Sequence, residues 1–140
     1  PTTTCSLNNW EAPVKAQELI RQYRSGERDF VLISLRSCEL SGTDLYGINL
    51  SGSELRGCTL SRTKLTGARL RRADLSWANL SGADLGGADL GSADLRAADL
   101  RQANLSYANL EHAKVTPEQL AEAATLEGAI MPDGETHEPS

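Results

Sequence analysis

Residues 73–110 read ADLSW ANLSG ADLGG ADLGS ADLRA ADLRQ ANLSY ANL. The unit is five residues long: Ala, then Asp or Asn, then Leu, then two small or polar residues. Outward from this stretch, Leu occupies every fifth position from Leu35 to Leu110, sixteen in succession, and Phe30 extends the register one step back. A second register lies two residues earlier, with Ala at every fifth position from Ala68 to Ala113. Nearer the N-terminus Ile33, Cys38, Thr43, Ile48, Ser53, Cys58 and Thr63 take that place, so the pattern is looser there and fixes the coil geometry less firmly. A period of five matches neither a helix nor an uninterrupted strand. It matches an extended step of about three residues followed by a tight turn. The Leu and the residue two before it then point inward, and the Asp or Asn between them faces solvent. Gly and Ser after the Leu suit the turn, and Gly tolerates a positive φ.

Composition agrees with a narrow repetitive core. The 140 residues carry a formal net charge of −5, 39% are hydrophobic and only 4% aromatic. A core of mixed large side chains is hard to build from that, whereas stacked Leu and Ala need no aromatics. No stretch approaches the roughly 20 apolar residues of a membrane span, and no charged-then-apolar leader is read from the sequence, which begins at Pro1. The compartment stays open: cytoplasm, or periplasm or thylakoid lumen if a leader was removed.

The A(D/N)LXX pattern resembles the pentapeptide-repeat family over roughly residues 29–115, and the terminal layout is similar to cyanobacterial members. That resemblance implies an all-β solenoid, a right-handed quadrilateral β-helix in which four pentapeptides make one square coil. Residues twenty apart should therefore stack, giving about four coils that rise about 4.8 Å each. Phe30, Leu50, Leu70, Leu90 and Leu110 form one core column, and Leu35, Leu55, Leu75 and Leu95 the next. Leu40, Leu60, Leu80 and Leu100 form the third, and Leu45, Leu65, Leu85 and Leu105 the fourth. Burying each Leu contributes roughly 2 kcal/mol before the entropy of ordering is counted.

Solenoid ends must be covered or they pair edge to edge, and both ends carry helix signals. The division expected is a helical cap at 1–27, the β-helix at 28–115, and a helical cap with a tail at 116–140. Asn9 is expected to cap a helix from Trp10 to about Arg24, stopped by Gly26, with Trp10, Val14, Leu19, Ile20 and Tyr23 resting on the first coil. Thr116-Pro117-Glu118-Gln119 reads as a capping box before a helix to about Ala124. Residues 126–131 should fold back over the last coil, and Glu135 to Ser140 should be a frayed tail.

The candidate chemistry is thin. Glu54, Asp74 and Asp94 should stack beside Arg36, Arg56 and Arg96, which reads as a self-neutralising surface in preference to a metal ladder. Cys38 and Cys58 should stack on adjacent coils within disulfide range. A bridge in an oxidising compartment and two small buried thiols are both open, the thiols being the preferred reading. Cys5 lies outside the repeats. Arg71 and Arg72 belong to a basic run with Arg62, Lys64 and Arg69 that spreads over neighbouring faces, without the interleaved aromatics of a single-strand nucleic-acid site. Trp77, Tyr107 and Tyr46 occupy outward turn positions; exposed aromatics are natural partner contacts, and packing along a corner is the competing reading. His112 and His137 are the two histidines and assemble no triad with the Ser and Asp residues.

The function expected is a non-enzymatic protein-binding or scaffold module with no cofactor, no nucleic-acid ligand, a protein partner and a monomeric state. The resemblance also implies an alternative, a DNA-mimicking inhibitor or protector of gyrase. The rod fits that reading poorly, with nine Lys or Arg against ten Asp or Glu between Asp29 and Ala113, whereas duplex DNA carries one charge per about 1.7 Å. An enzyme ranks last, because a narrow coil offers no cleft.

Overall fold

The computed structural model describes residues 15–137. Cys5, the expected cap Asn9, Trp10, Val14 and the last three residues lie outside them.

The twenty-residue register is the frame of the molecule. Parallel bridges join Asp29 to Asn49, Asn49 to Arg69, Arg69 to Asp89 and Asp89 to Asn109, and the same step recurs on three further sides, beginning at Ser34, Glu39 and Asp44. Four such steps in each twenty residues make a square coil. The register is unbroken from Asp29, so the Ile, Cys, Ser and Thr of the early coils do not loosen it. Ser53 and Thr63 are buried, and each hydroxyl donates to a carbonyl of the coil before, Phe30 O at 3.1 Å and Leu40 O at 2.8 Å. Phe30 and the sixteen Leu of the core columns are all buried to 1% exposure or less, and the inward Ala residues fill the space between columns.

Each corner is a β-turn closed by an N–H to C=O bond such as Ala73 to Leu70 at 3.0 Å. The second corner residue has positive φ, as at Arg72 (60°), Trp77 (62°) and Tyr107 (59°). Turns of this type favour Gly at that place, and the sequence uses it at Gly47, Gly67 and Gly87 along one corner. The Asp or Asn of the repeat has a task beyond facing water. Its Oδ1 accepts the N–H two residues on, as at Asp74 to Ser76, Asp84 to Gly86 and Asn104 to Ser106, each at 3.0 Å. A short carboxylate or amide that reaches its own turn is an Asx-turn, which explains why this outward position is restricted to Asp and Asn in the best repeats.

The ends depart from expectation. Helix α1 is Ala16–Arg24, and Lys15 before it is extended, with no side-chain cap. Residues 10–14 of the helix expected from Trp10 lie outside the described residues. Leu19 of α1 is fully buried, and Ile20 and Tyr23 pack against the core. Tyr23 donates its hydroxyl to the Tyr46 carbonyl at 2.7 Å.

Helix α2 is Pro117–Ala121, shorter than the expected end near Ala124, with the predicted Thr116/Gln119 capping box formed. Residues 124–131 do not fold back. They continue the coil: Thr125 bridges Asn104 and Ile130 bridges Asn109. The core spacing runs Val115, Leu120, then Leu126 and Met131, so one inserted residue shifts the register and the β-helix runs about one coil longer than four. Glu135 to His137 is not a frayed tail either. Thr136 pairs antiparallel with Ile130, and Met131 N–H donates to Glu135 O at 2.7 Å. This reversal covers the edge of the last rung, which would otherwise template another chain.

On the third side α2 replaces the next rung. Gln119 Nε2 donates to Leu95 O at 2.7 Å and Ala98 O at 2.9 Å, while Gln119 Oε1 accepts the Thr116 N–H at 2.9 Å. One amide thus closes both the sheet edge and the helix start. Gln119→Leu should lower stability by about 1–2 kcal/mol, read as a shift of the urea midpoint. An unchanged midpoint would mean that water replaces the amide without cost.

Candidate functional site

The four corners decide which exposed side chains share a surface. Arg71 and Arg72 sit on the corner that also carries Leu32 and His112. Trp77 sits on the next corner, with Arg36, Arg56 and Arg96. Tyr107 and Tyr46 sit on the corner diagonally opposite Trp77. The structure therefore does not bring Trp77 and Tyr107 together, and Arg71 and Arg72 lie one corner away from each.

The candidates also differ in what they touch. Tyr107 is 65% exposed, yet its ring covers Gly128, where any Cβ would run into it. It packs on the next coil and leaves Gly87 bare. Arg71 pairs with Asp89 at 3.0 Å and lies along Gly91. Trp77 is 64% exposed, and the open space over Gly57 is bounded by Ser37 and not by the indole. On the following coil Trp77 has Ala97 as its neighbour, itself exposed, where Tyr107 has a glycine under its ring.

Beside Trp77 runs an open groove of about 450 Å³, lined by Arg36, Ser37, Arg56, Gly57 and Trp77. Its small residues come from the corner column Ser37 and Gly57, and its charge from the column beside it. Arg56 donates to Ser76 Oγ at 3.0 Å, and Arg36 reaches Glu54 at 3.8 Å with both side chains more than half exposed. Surface pairs of that kind are worth little, so both guanidiniums are available to a partner. The acidic column on the adjoining side is differently placed. Asp94 is held by Arg96 at 2.7 Å, and on the following side Asp99 is held by Arg101 at 2.7 Å. The hydrogen bonds from these guanidiniums set both carboxyls below the usual aspartate range. These carboxylates serve turns and ion pairs. Among the described residues no group of three or more His, Cys, Asp or Glu converges as metal ligands, and no helix is long and apolar enough to cross a membrane.

A second groove, about 480 Å³, lies under the last coil and is lined by Val115, Leu120, Leu126 and Met131. These are the core positions of the terminal coil, so the groove is the underside of the solenoid core.

Cys38 and Cys58 stack on the first two coils, and both are thiols in this structure. Cys58 is buried and donates to the Leu35 carbonyl, the role that Ser53 and Thr63 hydroxyls play in their columns. Parallel rungs hold neighbouring residues about 4.8 Å apart, wider than the Cβ spacing of about 3.8 Å that a disulfide prefers.

No curated protein matches the chain. Among solved structures, HetL, a pentapeptide repeat protein involved in heterocyst differentiation regulation from the cyanobacterium Nostoc sp. strain PCC 7120, is 23% identical. Its TM-score is 0.45, over 89% of this chain and 100% of that one. The pentapeptide repeat protein alr5209 from Nostoc PCC 7120 is 42% identical, with a TM-score of 0.30 over 75% of this chain and 79% of that one. QnrB1, a plasmid-mediated fluoroquinolone resistance protein, is 28% identical with a TM-score of 0.40; 61% of this chain covers 47% of it. The pentapeptide-repeats family profile matches eight copies at residues 38–76 and 78–116, more than half of the 140 residues. With its five-residue unit and twenty-residue coil, this chain belongs to the pentapeptide-repeat family.

Proposed function

We propose that the chain is a non-enzymatic docking module whose Trp77 corner seats an acidic segment of a partner protein. The observation that carries this reading is the combination at one corner of an exposed indole, an open groove over Ser37 and Gly57, and two guanidiniums, Arg36 and Arg56, beside it. Aromatic and arginine side chains are the residue types that dominate binding energy, and Arg pairs carboxylates with two parallel hydrogen bonds.

The gyrase-binding alternative needs a strongly acidic rod. The acids of this one are largely tied to its own arginines and turns, which favours a partner that brings the carboxylates. The test is site-specific photo-crosslinking from position 77, with position 107 on the opposite corner as control. The purified adduct partner should then be titrated with the intact chain. A partner captured from 77, absent from 107, and weakened by an Arg36→Glu/Arg56→Glu double variant supports the docking corner. Equal capture at both positions, or tighter binding after the charge reversal, would overturn it.

A further inference from the structure

The buried thiol pair has an asymmetry that the docking corner does not use. Cys38 and Cys58 occupy the inward position of one column, whose next two rungs carry Ala78 and Ala98. The backbone ties them in register, with Thr59 N–H donating to Cys38 O at 2.8 Å. Cys58 is 1% exposed, whereas Cys38 is half-buried at the end of the solenoid beneath α1. Cys38 Sγ has the Cys58 thiol beside it and the Ala16 N–H in the first turn of α1 directed at it, while the Cys58 S–H itself goes to the Leu35 carbonyl. The Cys58 side chain first, and then the Ala16 N–H at the helix N-terminus, hold the Cys38 thiol below its ordinary range against the opposing effect of burial. The neighbouring Cys38, together with burial, pushes the Cys58 thiol up.

We propose that Cys38 and Cys58 are a hydroperoxide-oxidised dithiol, with Cys38 as the attacking thiolate and Cys58 as the resolving thiol that closes a disulfide between the first two coils. In the first step Cys38 sulfur attacks the distal peroxide oxygen. The O–O bond breaks, the leaving alkoxide or hydroxide takes a proton, and Cys38 becomes a sulfenic acid. In the second step Cys58 gives up its proton and its sulfur attacks the Cys38 sulfur. The S–O bond breaks and water leaves. The two thiols lose two electrons, and the peroxide is reduced to an alcohol and water, or to two waters from hydrogen peroxide. The Cα spacing of neighbouring rungs, about 4.8 Å, lies inside the range that disulfides span. The Cβ atoms must still draw together, so the bridge forms reversibly and yields readily to a thiol reductant.

The experiment uses the full chain with Cys5→Ser, so that two thiols remain, exposed to hydrogen peroxide in the presence and absence of dimedone. Alanine is the natural occupant of this column at Ala78 and Ala98, so Cys38→Ala and Cys58→Ala are accommodated. The expected result is loss of two hydrogens from the intact mass of the two-thiol chain, restored by dithiothreitol. Cys58→Ala should accumulate a dimedone adduct on Cys38. In Cys38→Ala, Cys58 should oxidise at least about tenfold more slowly than Cys38 does in Cys58→Ala, because Cys58 is 1% exposed and Cys38 only half-buried. Equal oxidation rates in the two single-thiol chains would overturn the proposal. So would a persistent Cys38 sulfenic acid when Cys58 is present, or a two-thiol chain that stays reduced while free glutathione is consumed.

Discussion

Leu75→Ala is expected to cost about 3–4 kcal/mol, while Asp74→Ala, one residue away, should cost about 1 kcal/mol. Leu75 is fully buried between Leu55 and Leu95 in its column. A cavity there cannot close, because the rungs on either side are pinned by main-chain bonds, including Leu55 N–H to Asp74 O and Leu75 N–H to Asp94 O, both 2.8 Å. The loss therefore approaches the full transfer and cavity penalty. Asp74 gives up its hydrogen bonds to the Ser76 N–H at 3.0 Å and the Ser76 hydroxyl at 2.6 Å; Ser76 is buried, and water enters only through the space that the part-buried Asp74 side chain leaves. Against a typical total of about 5–15 kcal/mol, the first change is severe and the second modest. Urea unfolding reads both as midpoint shifts at constant slope. A Leu75→Ala cost below that of Asp74→Ala would mean that the column is not the main source of stability.

Trp77→Gly should act in opposite directions on folding and on binding. Its φ of 62° lies in the left-handed region, which costs an L-residue about 1–2 kcal/mol. Gly removes that cost and adds roughly 0.5–1 kcal/mol of unfolded-chain entropy. With the indole 64% exposed, little packing is lost, so a net gain of about 0.5 kcal/mol is expected. Partner affinity should fall by about 2 kcal/mol, roughly thirtyfold, as for a central aromatic contact. Thermal unfolding and titration of the crosslinked partner measure the two effects separately. A variant that loses stability and keeps its affinity would show that the indole packs along the corner as a structural residue.

The Leu columns could be read from the sequence because a square coil repeats in the chain itself: a residue's place follows from its number modulo twenty. The same arithmetic places Trp77 and Tyr107 on opposite corners, and it separates Arg71 and Arg72 from both. What escaped the sequence had local causes. One residue inserted before Leu126 broke the five-residue count and hid the last repeats, Ala124-Thr125-Leu126 and Ala129-Ile130-Met131. The Asx-turn bonds were hidden because an outward Asp looks like any solvated acid until the turn amide is placed. The Gln119 amide and the Ala16 N–H on Cys38 were out of reach for a different reason. Both depend on where a helix docks, which no repeat dictates.

The four-sided coil also sets what insertions and deletions can do. Five residues added ahead of Trp77 would preserve the repeat and the core, yet would carry the indole a quarter turn round the axis, away from Arg36, Arg56 and the Ser37–Gly57 groove. Twenty residues would restore its bearing and move it one rung along. Length in this protein can change gradually, but the direction a side chain faces changes in right-angle steps, so descent by gain and loss of single repeats reshuffles surfaces while leaving the interior untouched.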